Sequence, residues 1–125
     1  PVLKANAYGH GLKETYDALI TKAPQPKWIG VNYISEAALL RSYGYTNKIL
    51  IMGPIAPQDI SLAAHHKSDV SIGQIETLTT WLELEERPNI HLKIDTGLAR
   101  QGFDLTELPQ IHLRSCSIWN WIFRK

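Results

Sequence analysis

The strongest constraint on this chain is a regular alternation of short apolar runs with segments of helical period. The runs are Pro1 to Ala5, Trp28 to Tyr33, Lys48 to Met52, Asp69 to Ile72 and Asn89 to Ile94. Their starts lie about twenty residues apart or a little more, the spacing of β-strands joined by crossover helices. Between them, Leu12, Tyr16, Leu19 and Ile20 recur at helical spacing before Pro24 and Pro26 stop the segment. Ser35 is placed to cap a second helix that Gly44 ends, and Pro57 opens a third running to His66. Ile75, Leu78 and Leu82 mark a fourth, closed off by Pro88. Strand and helix in strict alternation with short connections predict a parallel α/β sheet, open or closed into a barrel. An eight-stranded barrel takes roughly 250 residues. In that case this chain of 125 residues carries about five of the eight strands.

Charge and cysteine content narrow the partners. Thirteen basic residues against 12 acidic ones leave a formal charge of +1, which gives no electrostatic reason to bind nucleic acid or an anionic membrane. The single cysteine, Cys116, allows neither an internal disulfide nor a cysteine metal cluster. The most apolar stretch, Ile118 to Phe123, is far short of the ~20 residues of a membrane helix. These features suit a reducing cytoplasm. His65 and His66 have no partner at metal-ligand spacing and read as surface helix. Trp28 and Trp81 read as packing residues. The chain opens at Pro1, without an initiator Met, directly on an apolar run, and is read as a partial chain.

Chemistry concentrates in two segments at strand ends. In Val2-Leu3-Lys4-Ala5-Asn6-Ala7-Tyr8-Gly9-His10-Gly11, alternation puts Val2 and Lys4 on one face and Leu3 and Ala5 on the other. A lysine in an apolar strand loses hydration, and desolvation favours the neutral amine that attacks carbonyl groups. Gly9 and Gly11 would let the backbone approach a bulky anion before a helix N-terminus. Composition alone favours the plainer alternative, an edge-strand lysine reaching water ahead of a loop. In the second segment, His91 to Phe103, the residues His91, Lys93 and Asp95 share one strand face and Leu92 and Ile94 the other. A base, an ammonium and a carboxylate in one row need partners. Asp95 can hold a cation, and Arg100 can fold back across the Thr96-Gly97 turn. A solvated edge strand with a local ion pair explains the row equally well.

Together the segments resemble one family. VLKANAYGHG resembles the cofactor-lysine signature of alanine racemases, and HLKIDTGLARQGF resembles their second signature. VNYISEAALLR and ILIMGP resemble the intervening stretches, in the family's order. The resemblance spans roughly residues 1 to 110 and implies a (β/α) barrel of TIM type, here incomplete. It implies an isomerase that interconverts L- and D-alanine, the latter for peptidoglycan, with pyridoxal 5'-phosphate as cofactor and no metal. By the same resemblance Lys4 holds the cofactor through its amine and serves one face of the substrate α-carbon, and Tyr8 hydrogen-bonds the phosphate. Lys93 matches a lysine that many members carbamylate, and the resulting anion holds Arg100. Arg100 then addresses the substrate carboxylate and the cofactor ring oxygen through its planar fork. The opposite-face base in the family is a tyrosine of a partner subunit, implying a homodimer; it has no counterpart among these residues.

Leu98 stands where the family usually has Met, a volume-conserving change. From about Ile111 the sequence IHLRSCSIWNWIFRK departs from the family pattern. Residues 1–110 are therefore read as a partial barrel domain and 111–125 as a divergent tail, for which a shifted reading frame is preferred over a divergent terminal helix. Such a chain is expected to be inactive alone. The competing readings are a pyridoxal-phosphate barrel without racemase activity and a truncated product with no function. Nothing in the sequence separates alanine from serine as substrate or reports whether Lys93 is modified.

Overall fold

The computed structural model describes residues 1–22, 24–109 and 111. Four parallel strands, β1 (Trp28–Val31), β2 (Lys48–Ile51), β3 (Asp69–Ile72) and β4 (Ile90–Leu92), form one sheet in the order of the chain. Helices Leu12–Lys22, Ile34–Ser42, Ile60–His65 and Ile75–Glu83 separate or flank them, and a 3-10 turn at Pro57–Asp59 leads into the third. Every helix expected from the sequence is present. The third is broken where the 3-10 turn hands over to α geometry, and the fourth stops at Glu83 rather than Glu86. Ser35 falls inside the first turn of its helix; the preceding cap position is Tyr33, in extended conformation.

Alternation along the strands sorts the two faces. Ile29, Val31, Ile49, Ile51, Val70, Ile72 and Ile90 are buried against the helices, joined by Leu12, Tyr16, Leu40, Ile60, Ala63 and Leu78. Lys48, Leu50, Ser71 and His91 alternate with them on the other face and are more exposed. A doubly wound sheet reverses its strand order at a switch point. This sheet does not reverse, and its buried face meets the helices, which is the layout of a (β/α) barrel of TIM type. The open choice of the sequence reading closes on the barrel.

The expected first strand is shorter than Pro1 to Ala5. Only Val2 bridges to the sheet, in parallel with Gly30 of β1, supported by Leu3 N–H to Gly30 O (2.7 Å) and Gly30 N–H to Pro1 O (2.9 Å). The extended chain has already ended at Leu3, whose ψ is 21°, and the backbone turns left-handed from Ala5. The fifth run is trimmed likewise, to Ile90–Leu92.

At the N-terminal ends of the strands the polar groups find partners. Arg41 donates to four carbonyls, those of Tyr45, Asn47, His66 and Lys67, at 2.7–2.9 Å. Tyr45 is buried, gives its hydroxyl proton to Pro26 O at 2.7 Å, and is pushed up to about 12 by that burial. Trp81 packs beside the core with its indole N–H on Pro88 O. Trp28 instead lies under the Lys48 ammonium, 4.7 Å from the ring centroid, with the His91 ring edge-on. The divergent tail lies outside the described residues, apart from Ile111, which is buried.

Candidate active site

The first element of the site is a turn of left-handed helix. Ala5, Asn6 and Ala7 have φ/ψ near 54/50, and Tyr8 has φ 56. Left-handed helical backbone costs an L-residue roughly 1–2 kcal/mol, so four in a row cost about 4–8 kcal/mol. Several contacts offset this. Ala7 N–H donates to Leu3 O, and both Gly9 and Gly11 N–H donate to Asn6 O. Asn6 Oδ1 accepts from Leu12 N–H at 2.7 Å, capping the first long helix. Asn6 N–H donates to Glu36 Oε1 at 3.0 Å. Ala7 is buried in the core. Alternation holds from Val2 to Lys4, with Leu3 buried between them, and stops at Ala5 where the turn begins.

The turn sets Lys4 and Tyr8 side by side. Lys4 is half-buried, with Nζ 5.9 Å from the centroid of the Tyr8 ring. Among the described residues its amine has no hydrogen bond and no ion pair. Tyr8 is 61% exposed, so its hydroxyl is free to meet a ligand. Gly9 and Gly11 have φ of 86° and 89°, and a Cβ on Gly9 would meet nothing within 4 Å. At both positions the left-handed backbone favours glycine.

The second element is the loop that follows β4. Ile94 and Phe103 form a parallel bridge, closed by Asp95 N–H to Phe103 O and Phe103 N–H to Lys93 O. Phe103 is fully buried and pins the loop to the core. Inside the loop, Asp95 accepts from the backbone N–H groups of Gly97, Ala99 and Arg100 at 2.8–3.1 Å. The N–H groups of Gly97 and Arg100 hold its carboxyl below the usual carboxylate range. Asp95 thus binds backbone donors, and Arg100 approaches it through its main chain. Gly73, just past β3, faces Gly102: a Cβ on Gly73 would come within 2.7 Å of the Gly102 Cα. The loop therefore lies flat on the end of β3.

This loop roofs a cavity of about 300 Å³ lined by Met52, Ser71, Lys93, Asp95, Arg100 and Gln101, among others. Lys93 Nζ donates to Gln101 Oε1 at 3.0 Å. The Arg100 side chain is exposed. Because Val2 pairs in parallel with β1, Lys4 and Lys93 both sit at the C-terminal end of the sheet, the end where barrels carry their sites. Lys4 and Tyr8 form one group and Lys93, Asp95 and Arg100 another; the cavity takes in only the second.

His91 belongs to neither group. Its Nε2 lies 3.3 Å from Asp69 Oδ2 at the other end of the strands. Burial works to raise the Asp69 carboxyl, but hydrogen bonds from His91 and Asn89 outweigh it and lower it. Two contributors were not singled out in the sequence: Gln101, within the second signature, and Glu36, in the first turn of its helix.

The chain matches the family model described as alanine racemase, N-terminal domain, over residues 1–117. An alanine racemase of Listeria innocua is 40% identical over 110 residues, covering 87% of this chain and 29% of that protein. The crystal structure of a biosynthetic alanine racemase from Pseudomonas aeruginosa is similar with a TM-score of 0.78 at 34% identity, covering 93% of this chain and 32% of that one. A histidine racemase from Leuconostoc mesenteroides is similar with a TM-score of 0.79 at 31% identity, again over 93% of this chain and 32% of that one. This chain spans about three-tenths of the length of such relatives.

Proposed function

We propose, from the premise that this chain belongs to the alanine racemase family by its N-terminal domain, that it carries the lysine half of a pyridoxal-phosphate amino-acid racemase. The observation that carries the reading is the pairing of Lys4 with Tyr8 at the end of the sheet that also bears Lys93 and Arg100. The donor set fits the cofactor. An amine with no hydrogen bond or ion pair among the described residues suits its aldehyde, an exposed phenol suits a phosphate oxygen, and an exposed guanidinium suits a ring oxygen or a substrate carboxylate.

When bound, pyridoxal phosphate supplies the conjugated ring that disperses the negative charge left when an amino acid loses its α-proton. The chain's own residues do the rest. Lys4 holds the cofactor and then moves a proton on one face of the α-carbon. Tyr8 donates to the phosphate. Arg100 orients the carboxylate through its rigid fork, and Lys93, which lines the same cavity, sets the local charge. Racemisation needs a second base on the opposite face, which we assign to a partner subunit in a homodimer of the intact protein. The 125-residue chain alone is then inactive. Alanine is the substrate we favour, because the Listeria and Pseudomonas relatives are alanine racemases; D-alanine made in the cytoplasm would feed peptidoglycan. The histidine racemase among the similar structures is why substrate must be measured and not inherited.

The test is borohydride reduction of the intact holoenzyme, peptide mapping, and D-alanine formation from L-alanine. Label on Lys4 with turnover is expected. Label mainly on Lys93 or elsewhere would overturn the assignment, and label on Lys4 without racemisation would favour a cofactor-binding barrel that is not a racemase. If Lys93 acts through charge, Lys93→Ala should lose much of the activity and regain part of it with an added small carboxylate.

A further inference from the structure

We infer that Glu36 is the positioning residue for the Lys4 turn, an inference that rests on the reading of Lys4 as the cofactor lysine. Glu36 stands in the first turn of helix Ile34–Ser42 and is only 8% exposed. Its Oε2 accepts from Asn32 N–H (2.8 Å) and Tyr33 N–H (3.1 Å). Those two bonds are what a first-turn glutamate ordinarily does for its own helix. The third is not. Oε1 accepts the N–H of Asn6, thirty residues earlier and in the middle of the left-handed turn.

That bond links the carboxylate to backbone handedness. The direction of the Asn6 N–H follows from the backbone dihedrals around it, and a right-handed turn would aim it elsewhere. Glu36 therefore favours the left-handed form over the form L-residues prefer. Asn6 passes the constraint on, since its Oδ1 caps Leu12 and its backbone O receives Gly9 and Gly11. Lys4 lies two residues before Asn6 and Tyr8 two residues after. One buried carboxylate thus ties the amine and the phenol to the loop leaving β1 and to the starts of two helices. An ionised carboxylate suits the task because it only accepts, and all its partners donate.

The experiment uses the intact holoenzyme with two variants. Glu36→Gln keeps the size but offers one acceptor oxygen and turns an NH₂ toward backbone donors. Glu36→Asp keeps the carboxylate within reach of Asn32 and Tyr33 but is one methylene short of Asn6. Both should fold, Glu36→Asp with an unfolding midpoint close to wild type. Both should show a shifted visible absorbance of the lysine-bound cofactor and slower borohydride labelling at Lys4. Both should also show kcat lowered roughly 10–100-fold, the scale of a misplaced reacting group, with KM for the amino acid changed far less, because Arg100 is untouched. Wild-type absorbance, labelling and kcat in Glu36→Asp would overturn the inference. Loss of folding in both variants would also overturn it, by showing a purely structural role. Absence of label on Lys4 in the wild type would instead mark failure of the underlying reading.

Discussion

The Lys4–Tyr8 turn and the Asp95–Phe103 loop both end parallel strands and both carry the signature residues, yet they are stabilised in opposite ways. The loop is closed from within: Asp95 gathers three N–H groups of its own segment, and Phe103 returns the chain to Lys93 and Asp95. Its left-handed positions fall mostly on Gly97 and Gly102, with Ala99 the one exception. The turn spends its left-handed positions on Ala5, Asn6, Ala7 and Tyr8, where glycine would cost nothing, and depends on Glu36 from another helix. A locally closed loop can form before the rest of the fold. A strained turn forms only when its brace is in place, so the attachment point of the proposed cofactor is linked to tertiary structure in a way the second signature is not.

The largest expected effect tests how the loop is anchored. Phe103→Ala removes a fully buried ring and should cost about 3–5 kcal/mol in urea unfolding of the intact protein. A loss below about 1 kcal/mol, small beside that range, would mean the Asp95 network alone holds the loop. A smaller effect tests the turn. Asn6→Ala deletes the cap on Leu12 and should cost about 0.5–2 kcal/mol, together with slower labelling of Lys4. Stability lost with labelling unchanged would cut the link between handedness and cofactor attachment. The smallest concerns pH. The Asp95 carboxyl lies below its ordinary 3.8 in the folded protein because it accepts backbone N–H groups. Its stabilisation is therefore full above the unfolded value and is lost as pH falls through the folded one. Side-chain NMR should place its titration below 3.8, and Asp95→Asn should leave Lys4 labelling intact; a normal or raised value would break the local-closure account.

The sequence exposed this site unevenly, for physical reasons. Period-2 and period-3.6 patterns located the four strands of the sheet and the helices Leu12–Lys22, Ile34–Ser42, Ile60–His65 and Ile75–Glu83, because burying one face leaves its mark on each residue. Strand order was not legible, since alternation is the same in a barrel and in a doubly wound sheet; the uninterrupted order of β1 to β4 decides it. Lys4, Lys93 and Arg100 stood out by residue type in an unusual place. Left-handed backbone at Ala5 and Ala7 left no trace, because alanine is the residue expected of an ordinary helix. Glu36 was hidden for a related reason: its two local bonds account for a glutamate at that position, and only the fold supplies the third. For Asp95 the sequence offered a cation as one partner, and its main-chain donors Gly97, Ala99 and Arg100 become visible only in the fold.

The uninterrupted strand order also bears on how the sheet can be assembled. Register partners lie twenty residues apart across β1–β2 (28 to 48), nineteen across β2–β3 (50 to 69) and twenty across β3–β4 (70 to 90). Because the entropy of closing a loop grows only with the logarithm of its length, each addition faces nearly the same barrier as the one before. A chain emerging from the ribosome N-terminus first meets, at every step, an edge already built by the strand just made. The sheet can grow like a zip, with Gly30 serving both Val2 and the stretch that follows it. Each unfinished stage then exposes a single growing edge, and the next twenty or so residues to be synthesised are the ones that cover it.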